Sequence, residues 1–93
     1  MQYKILLQSE AVADLQIAFE WYEERKTGLG NSFLTEVNIC LEKIRINPKH
    51  YGLTSKWVRK IKTNKFPFLI IFEIEGDSVI VNTVLHTSKK PKS

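Results

Sequence analysis

Apolar residues recur along this chain with two different periods, and the switch between them divides it in half. Tyr3, Ile5 and Leu7 alternate with Lys4, Leu6 and Gln8, the two-residue period of a short strand with one well-buried face. From Ser9 the period lengthens. Val12, Leu15, Phe19 and Tyr22 recur at steps of three and four and share one helix face, which Ala11 and Ala18 widen. Ser9 is placed to cap this helix, and Glu10 and Asp14 put negative charge near its positive end. The run Arg25-Lys26-Thr27-Gly28 stops it, because basic side chains suit the last turn and glycine accepts positive φ, with Leu29 positioned for the capping contact. A second helix follows almost at once. Asn31 or Ser32 supplies its cap, Phe33, Val37, Leu41 and Ile44 its buried stripe, with Leu34 and Cys40 beside them. It ends at Asn47-Pro48, since the residue before proline is pushed away from helical geometry. So short a link folds the two helices back into an antiparallel hairpin.

The second half reads as strands. Residues 57–62 form a basic strand and 63–65 its turn. Residues 66–74 are almost continuously apolar, as in a central strand, with Pro67 near the start where a missing N–H does least damage. Residues 75–77 make a tight reversal. The last strand, 78–86, places Val79, Val81, Thr83 and Leu85 on one face and Ile80, Asn82, Val84 and His86 on the other. The order β-α-α-β-β-β predicts an α+β fold, with a helical hairpin packed on one face of a mostly antiparallel four-stranded sheet. Ninety-three residues leave room for one domain, 1–93, with 87–93 a basic, loosely held tail. The central strand carries Phe66, Phe68, Ile70 and Phe72 on one face and Leu69 and Ile71 on the other. A single hairpin covers one face only, so the second needs another cover: a protein partner, the tail, or the 48–56 loop.

Charge sharpens this picture. The net charge of +4 is uneven, with five Lys/Arg against seven Asp/Glu in residues 1–47 and nine against three in 48–93. The second half therefore suits an anionic neighbour, whether nucleic acid, an acidic protein segment or only solvent. Lys60 and Lys62 stand on one strand face, opposite Arg59, Trp57 and Ile61. Lys49, Lys56 and Lys65 lie at the ends of that region, and Lys89, Lys90 and Lys92 follow the last strand. Mobile lysines of this kind fit phosphate contacts, and they equally protect strand edges from aggregation. Walker loops, dinucleotide fingerprints, HExxH and GxSxG are all absent. Only His50 and His86 titrate near neutrality when unperturbed. Glu20, Glu23 and Glu24 read as a solvated helix face and Cys40 as a small core residue. One cysteine makes no internal disulfide, and these counts assemble neither a metal nor a cofactor site. With no secretory leader and no run of 18 apolar residues, the expected setting is the reducing cytoplasm, without membrane contact.

Several motifs then fall into a familiar order: Ala11-x-x-Asp14-Leu15-x-x-Ala18-x-x-Trp21-Tyr22-Glu23, Gly28-Leu29-Gly30-x-x-Phe33, and Ile44-x-x-Asn47-Pro48. Phe66-Pro67-Phe68, the Glu75-Gly76-Asp77 reversal, Val84-Leu85-His86 and the basic Lys89-Lys90-Pro91 continue it. Over nearly its whole length the chain resembles the RelE/ParE superfamily of toxins from type II toxin–antitoxin modules. The resemblance implies a growth-inhibiting toxin of the plasmid-stabilisation kind, held inactive by a cognate acidic antitoxin that wraps it, and the same layout of elements. Within the superfamily the RelE-like branch cuts messenger RNA on the ribosome through basic residues of the sheet, while the ParE-like branch inhibits DNA gyrase. Lys60 and Lys62 fall where RelE-like toxins carry strand lysines. Their central-strand arginine is replaced by Leu69, and no tyrosine follows the last strand. An endoribonuclease reading therefore rests on Lys60, Lys62, His86 and Lys89. The Phe-Pro-Phe opening and the histidine before a basic, proline-containing tail resemble the ParE side. That side implies a gyrase inhibitor, with Lys60, Lys62, Phe68, Ile70, Phe72, Lys89 and Lys90 meeting its partners. A ribosome-dependent endoribonuclease and a decayed toxin fold that only binds protein are the alternatives.

Overall fold

The computed structural model describes residues 2–88. The alternating amino-terminal segment forms β1 (Lys4–Leu7), and the two periodic stretches form α1 (Ser9–Arg25) and α2 (Leu29–Ile46). A 3-10 turn (Pro48–His50) leads to β2 (Leu53–Ser55), β3 (Val58–Lys62), β4 (Phe68–Glu75) and β5 (Ser78–His86). The α+β layout, the helical hairpin and the element order are as the sequence predicts. The sheet, however, has five strands, in the order β1-β5-β4-β3-β2, and four were expected. Its β1–β5 pair is parallel and the rest antiparallel. The added strand comes from the 48–56 loop. Arg59 donates to the carbonyl oxygens of Tyr51 at 2.7 Å and Lys49 at 3.5 Å, and the Lys60 N–H to that of Gly52 at 3.3 Å. These bonds hold the loop beside β3 as an irregular edge.

The core lies between the hairpin and one sheet face. Ala11, Ala18 and Tyr22 of α1 and Phe33, Val37, Cys40 and Ile44 of α2 are buried there. Ile61, Phe68, Ile70, Phe72, Val79, Val81 and Val84 meet them from the sheet. Rings of Tyr22, Phe33, Phe66 and Phe68 cluster with centroid separations from 4.9 to 6.2 Å, each good pair adding about 0.5–1.5 kcal/mol beyond its buried area. Val12 departs from its expected place and is 48% exposed. The rotation of α1 explains it, because Asp14 Oδ2 accepts hydrogen bonds from Thr83 Oγ1 at 2.6 Å and the Val84 N–H at 2.9 Å. Turning Asp14 toward β5 seats the narrow Ala11–Ala18 line against the sheet and swings Val12, Ile17 and Trp21 toward solvent.

The helix ends also differ from expectation. Ser9 is the first residue of α1, with Gln8 at the cap and no side chain capping. The Gln8 N–H is instead spent on the Val81 carbonyl at 2.9 Å, which ties the helix entry to the sheet. α2 starts at Leu29, before Asn31 and Ser32, and Glu23 serves its free donors. The Glu23 carboxylate accepts from the N–H groups of Gly28 and Gly30, each at 2.9 Å. Gly28, with φ of 89°, turns the chain there. At Gly30 the helices come very close, since a Cβ would sit 2.8 Å from the Phe19 carbonyl oxygen.

A β-bulge sets the faces of β5. Ile71 pairs with Thr83 but Phe72 with Val81, leaving Asn82 as the extra residue. The strict alternation expected for 78–86 therefore breaks. Val79, Val81 and then Val84 are buried under the helices, in place of Thr83 and Leu85.

Candidate functional site

The sheet face away from the hairpin has no cover among the described residues. Register defines its rows. Val58, Glu73, Ile80 and Leu6 share one, Lys60 sits beside Ile71, and Lys62, Leu69 and Leu85 form another. The 48–56 loop does not fold over this surface, because Tyr51 turns its ring toward core Phe72, 6.4 Å between centroids. The result is a strip of leucine and isoleucine with two exposed lysines along its β3 side. Glu73 is the carboxylate nearest its centre by register, and it accepts a hydrogen bond from Asn82 Nδ2 at 2.9 Å. Lys60 and Lys62 thus come together on one face, as predicted.

The other expected site residues do not join them. Phe68, Ile70 and Phe72 are buried beneath the hairpin, so the part of β4 open to a partner is Leu69 and Ile71. The face richer in phenylalanine is the one that the aromatic residues of α1 and α2 cover. Both faces of this strand are apolar, and sequence alternation alone could not rank them. The signal that could have done so is parity with Lys60 and Lys62, whose pairing partners are Ile71 and Leu69. Lys89 and Lys90 lie outside the described residues, as does most of the expected tail, while Thr87 is tied by its N–H to the Pro67 carbonyl at 2.7 Å.

His86 pairs with Phe68 and so belongs to the helix side, its ring edge-on to the Phe68 ring at 5.1 Å. Its Nδ1 accepts from the Ser88 N–H at 3.1 Å and lies 2.6 Å from Ser88 Oγ. A backbone donor can only meet an unprotonated nitrogen, so the neutral ring carries its proton on Nε2. His86 lines a cavity of about 440 Å³ with Asp14, Ile17, Trp21 and Tyr22, on the opposite side of the sheet from Lys60 and Lys62. His50 lies in the 3-10 turn, edge-on to Tyr51 at 5.0 Å. Cys40 is buried, and burial pushes its thiol pKa up, away from thiolate chemistry. Among the described residues no cluster of His, Cys, Asp or Glu could hold a metal, and no helix is long and apolar enough to cross a membrane. An apolar strip edged by lysines is chemically suited to a protein segment with apolar and acidic side chains.

Comparison with known proteins agrees with this architecture. A solved chain from the "Chromosomal ParDE TA system from P. aeruginosa" superposes with a TM-score of 0.81 at 12% identity, over 91% of this chain and 96% of that one. That likeness defines the class of fold, a small α+β scaffold with a helical hairpin on a mostly antiparallel sheet. The sequence profile described as "ParE toxin of type II toxin-antitoxin system, parDE" matches residues 5–91. The chain belongs to the ParE toxin family: it is the toxin of a type II toxin–antitoxin module, neutralised by a cognate antitoxin. A search of curated proteins finds no match.

Proposed function

We propose that this toxin stops growth by inhibiting DNA gyrase and does not cut RNA, its open sheet face serving as the protein-contact surface. The observation that carries the reading is the separation of Lys60 and Lys62 from His86 by the thickness of the sheet. Cutting RNA requires a proton to leave the 2′-hydroxyl, another to reach the leaving oxygen, and charge on the phosphate to be stabilised in one place. The lysine face offers positive charge but no histidine, and Leu69 beside Lys62 can neither donate a hydrogen bond nor hold a phosphate. Lys60, Lys62 and the Lys89-Lys90 pair then act as contacts to gyrase or to the DNA it holds.

The test pairs two assays on purified toxin. Supercoiling by gyrase should fall with added toxin, while messenger RNA in a translating extract stays intact. Replacing Lys60 or Lys62 by Ala should weaken inhibition gradually, as loss of rim or phosphate contacts does. Transcript cleavage that drops about 100-fold or more on replacing His86 or Lys62 alone would overturn the reading.

A further inference from the structure

We propose that the groove between α2 and the β3–β4 turn is a second binding site, one that takes the phosphodiester backbone of duplex DNA. The groove has a volume of about 860 Å³, and Lys43 of α2, Lys62 at the end of β3 and Lys65 of the turn all line it. It is distinct from the apolar strip and shares only Lys62 with it. Among the described residues the only ion pair is Arg45 with Glu42, so none of these three lysines is engaged in a salt bridge. Thr35 and Asn64 add polar side chains that make no hydrogen bond among the described residues.

The one carboxylate in the lining, Glu36, is buried, and its Oε2 accepts the Lys65 N–H at 2.5 Å. Glu36 thereby pins the turn that carries Lys65. Thr63 stiffens the same turn: its hydroxyl donates to the Phe66 and Phe68 carbonyls, and its oxygen accepts the Phe68 N–H at 3.2 Å. Two of the lysines are therefore set on rigid backbone across the groove from the third. The single aromatic in the lining, Phe66, is engaged with Tyr22 at 4.9 Å and Phe33 at 5.5 Å. Sites for unpaired strands stack bases on free aromatic rings, and this groove has none, so its chemistry suits the backbone of a paired duplex.

The site goes beyond inhibition of gyrase and is tested without that enzyme. Anisotropy of a short labelled duplex is titrated with the full-length toxin across about 50 to 200 mM salt. Three neutralised phosphates give a log–log salt slope of about −2.7, or about 40-fold weaker binding over that range. Replacing Lys43 and Lys65 together by Ala should reduce the slope to about −0.9, and replacing both by Arg should retain it. Lys4→Ala, an exposed lysine on the far edge strand, should leave the slope unchanged. Glu36→Gln keeps an acceptor for the Lys65 N–H but removes a negative charge, so binding should tighten. A flat salt dependence, a slope that survives loss of Lys43 and Lys65, or an equal fall for Lys4→Ala would overturn the site. Tighter binding to single-stranded RNA of equal length would overturn the duplex assignment.

Discussion

Replacing Asp14 by Ala probes the contact that fixes how α1 sits on the sheet. Its Oδ2 receives both the Thr83 hydroxyl at 2.6 Å and the Val84 N–H at 2.9 Å, immediately after the bulge in β5. Thr83 is half-buried and water can replace its partner. Val84 is only 4% exposed, so its N–H is left with no acceptor. An orphaned buried donor costs about 1–3 kcal/mol, and a hydrogen bond to a charged group contributes about 1.5–3 kcal/mol. Allowing for partial hydration of Thr83, the substitution should cost about 2–4 kcal/mol. A chain of this length is stable by only about 5–14 kcal/mol, and the loss corresponds to a fall in Tm of at least about 8 °C. Asp14→Asn keeps one acceptor oxygen and should cost about half as much. Urea unfolding followed by circular dichroism measures the loss, and amide exchange at Val84 localises it. A cost below about 0.5 kcal/mol, or unchanged protection at Val84, would refute the claim that this carboxylate seats the bulge.

Gly30→Ala should destabilise by about 1–3 kcal/mol in a thermal melt, because the new Cβ would lie 2.7 Å from Phe19 Cδ1 and 2.8 Å from the Phe19 carbonyl oxygen, and backbone cannot yield. Phe33→Ala should cost about 3–5 kcal/mol, whereas Leu41→Ala, only half-buried in place of the full burial its spacing predicts, should cost about 2 kcal/mol or less; equal losses would contradict the observed packing. Burial raises the Cys40 pKa in the folded state, so the native protein keeps a proton that the unfolded chain releases. The Cys40 contribution to stability should therefore be flat below about pH 8.5 and fall as pH rises above it, and Cys40→Ala should remove that part of the slope in unfolding titrations. Tyr22, also raised by burial, adds a fall of the same sign above about pH 10.

The elements were legible because their signals are local. Periods of 2 and 3.6 are written into Ile5, Leu7, Phe33, Val37 and Ile44, and proline marks the end of α2 at residue 48. What escaped depends on contacts between distant residues. Glu23 looks like one of three solvated glutamates until α2 folds back and offers it the Gly28 and Gly30 N–H groups. Val12 fits the helix stripe by spacing as well as Ala11 does, and only the bond from Asp14 to β5 decides which of them faces inward. Leu53 to Ser55 carries too little strand character to be read alone, and becomes a strand because Arg59 holds the preceding loop. Lys60 and Lys62 were legible as a pair because two-residue spacing survives any regular strand.

His86 shows how much function can hang on one residue of register. Under strict alternation from Val79 inward, His86 falls on the side opposite the helices, level with Lys60 and Lys62, where it could carry a proton for a nuclease. Asn82 adds one residue to β5, and each side chain beyond it changes sides. Val84 enters the core, and His86 comes to rest against Phe68 with its Nδ1 occupied by Ser88. The bulge is no loose accident, because β4 pairs it on one side and, just past the end of the β1 pairing at Val81, Asp14 on the helix holds the strand from the other. The same geometry that removes the imidazole leaves Leu69, Ile71 and Leu85 as neighbours of the two lysines. A surface so composed offers a protein partner apolar area edged by positive charge.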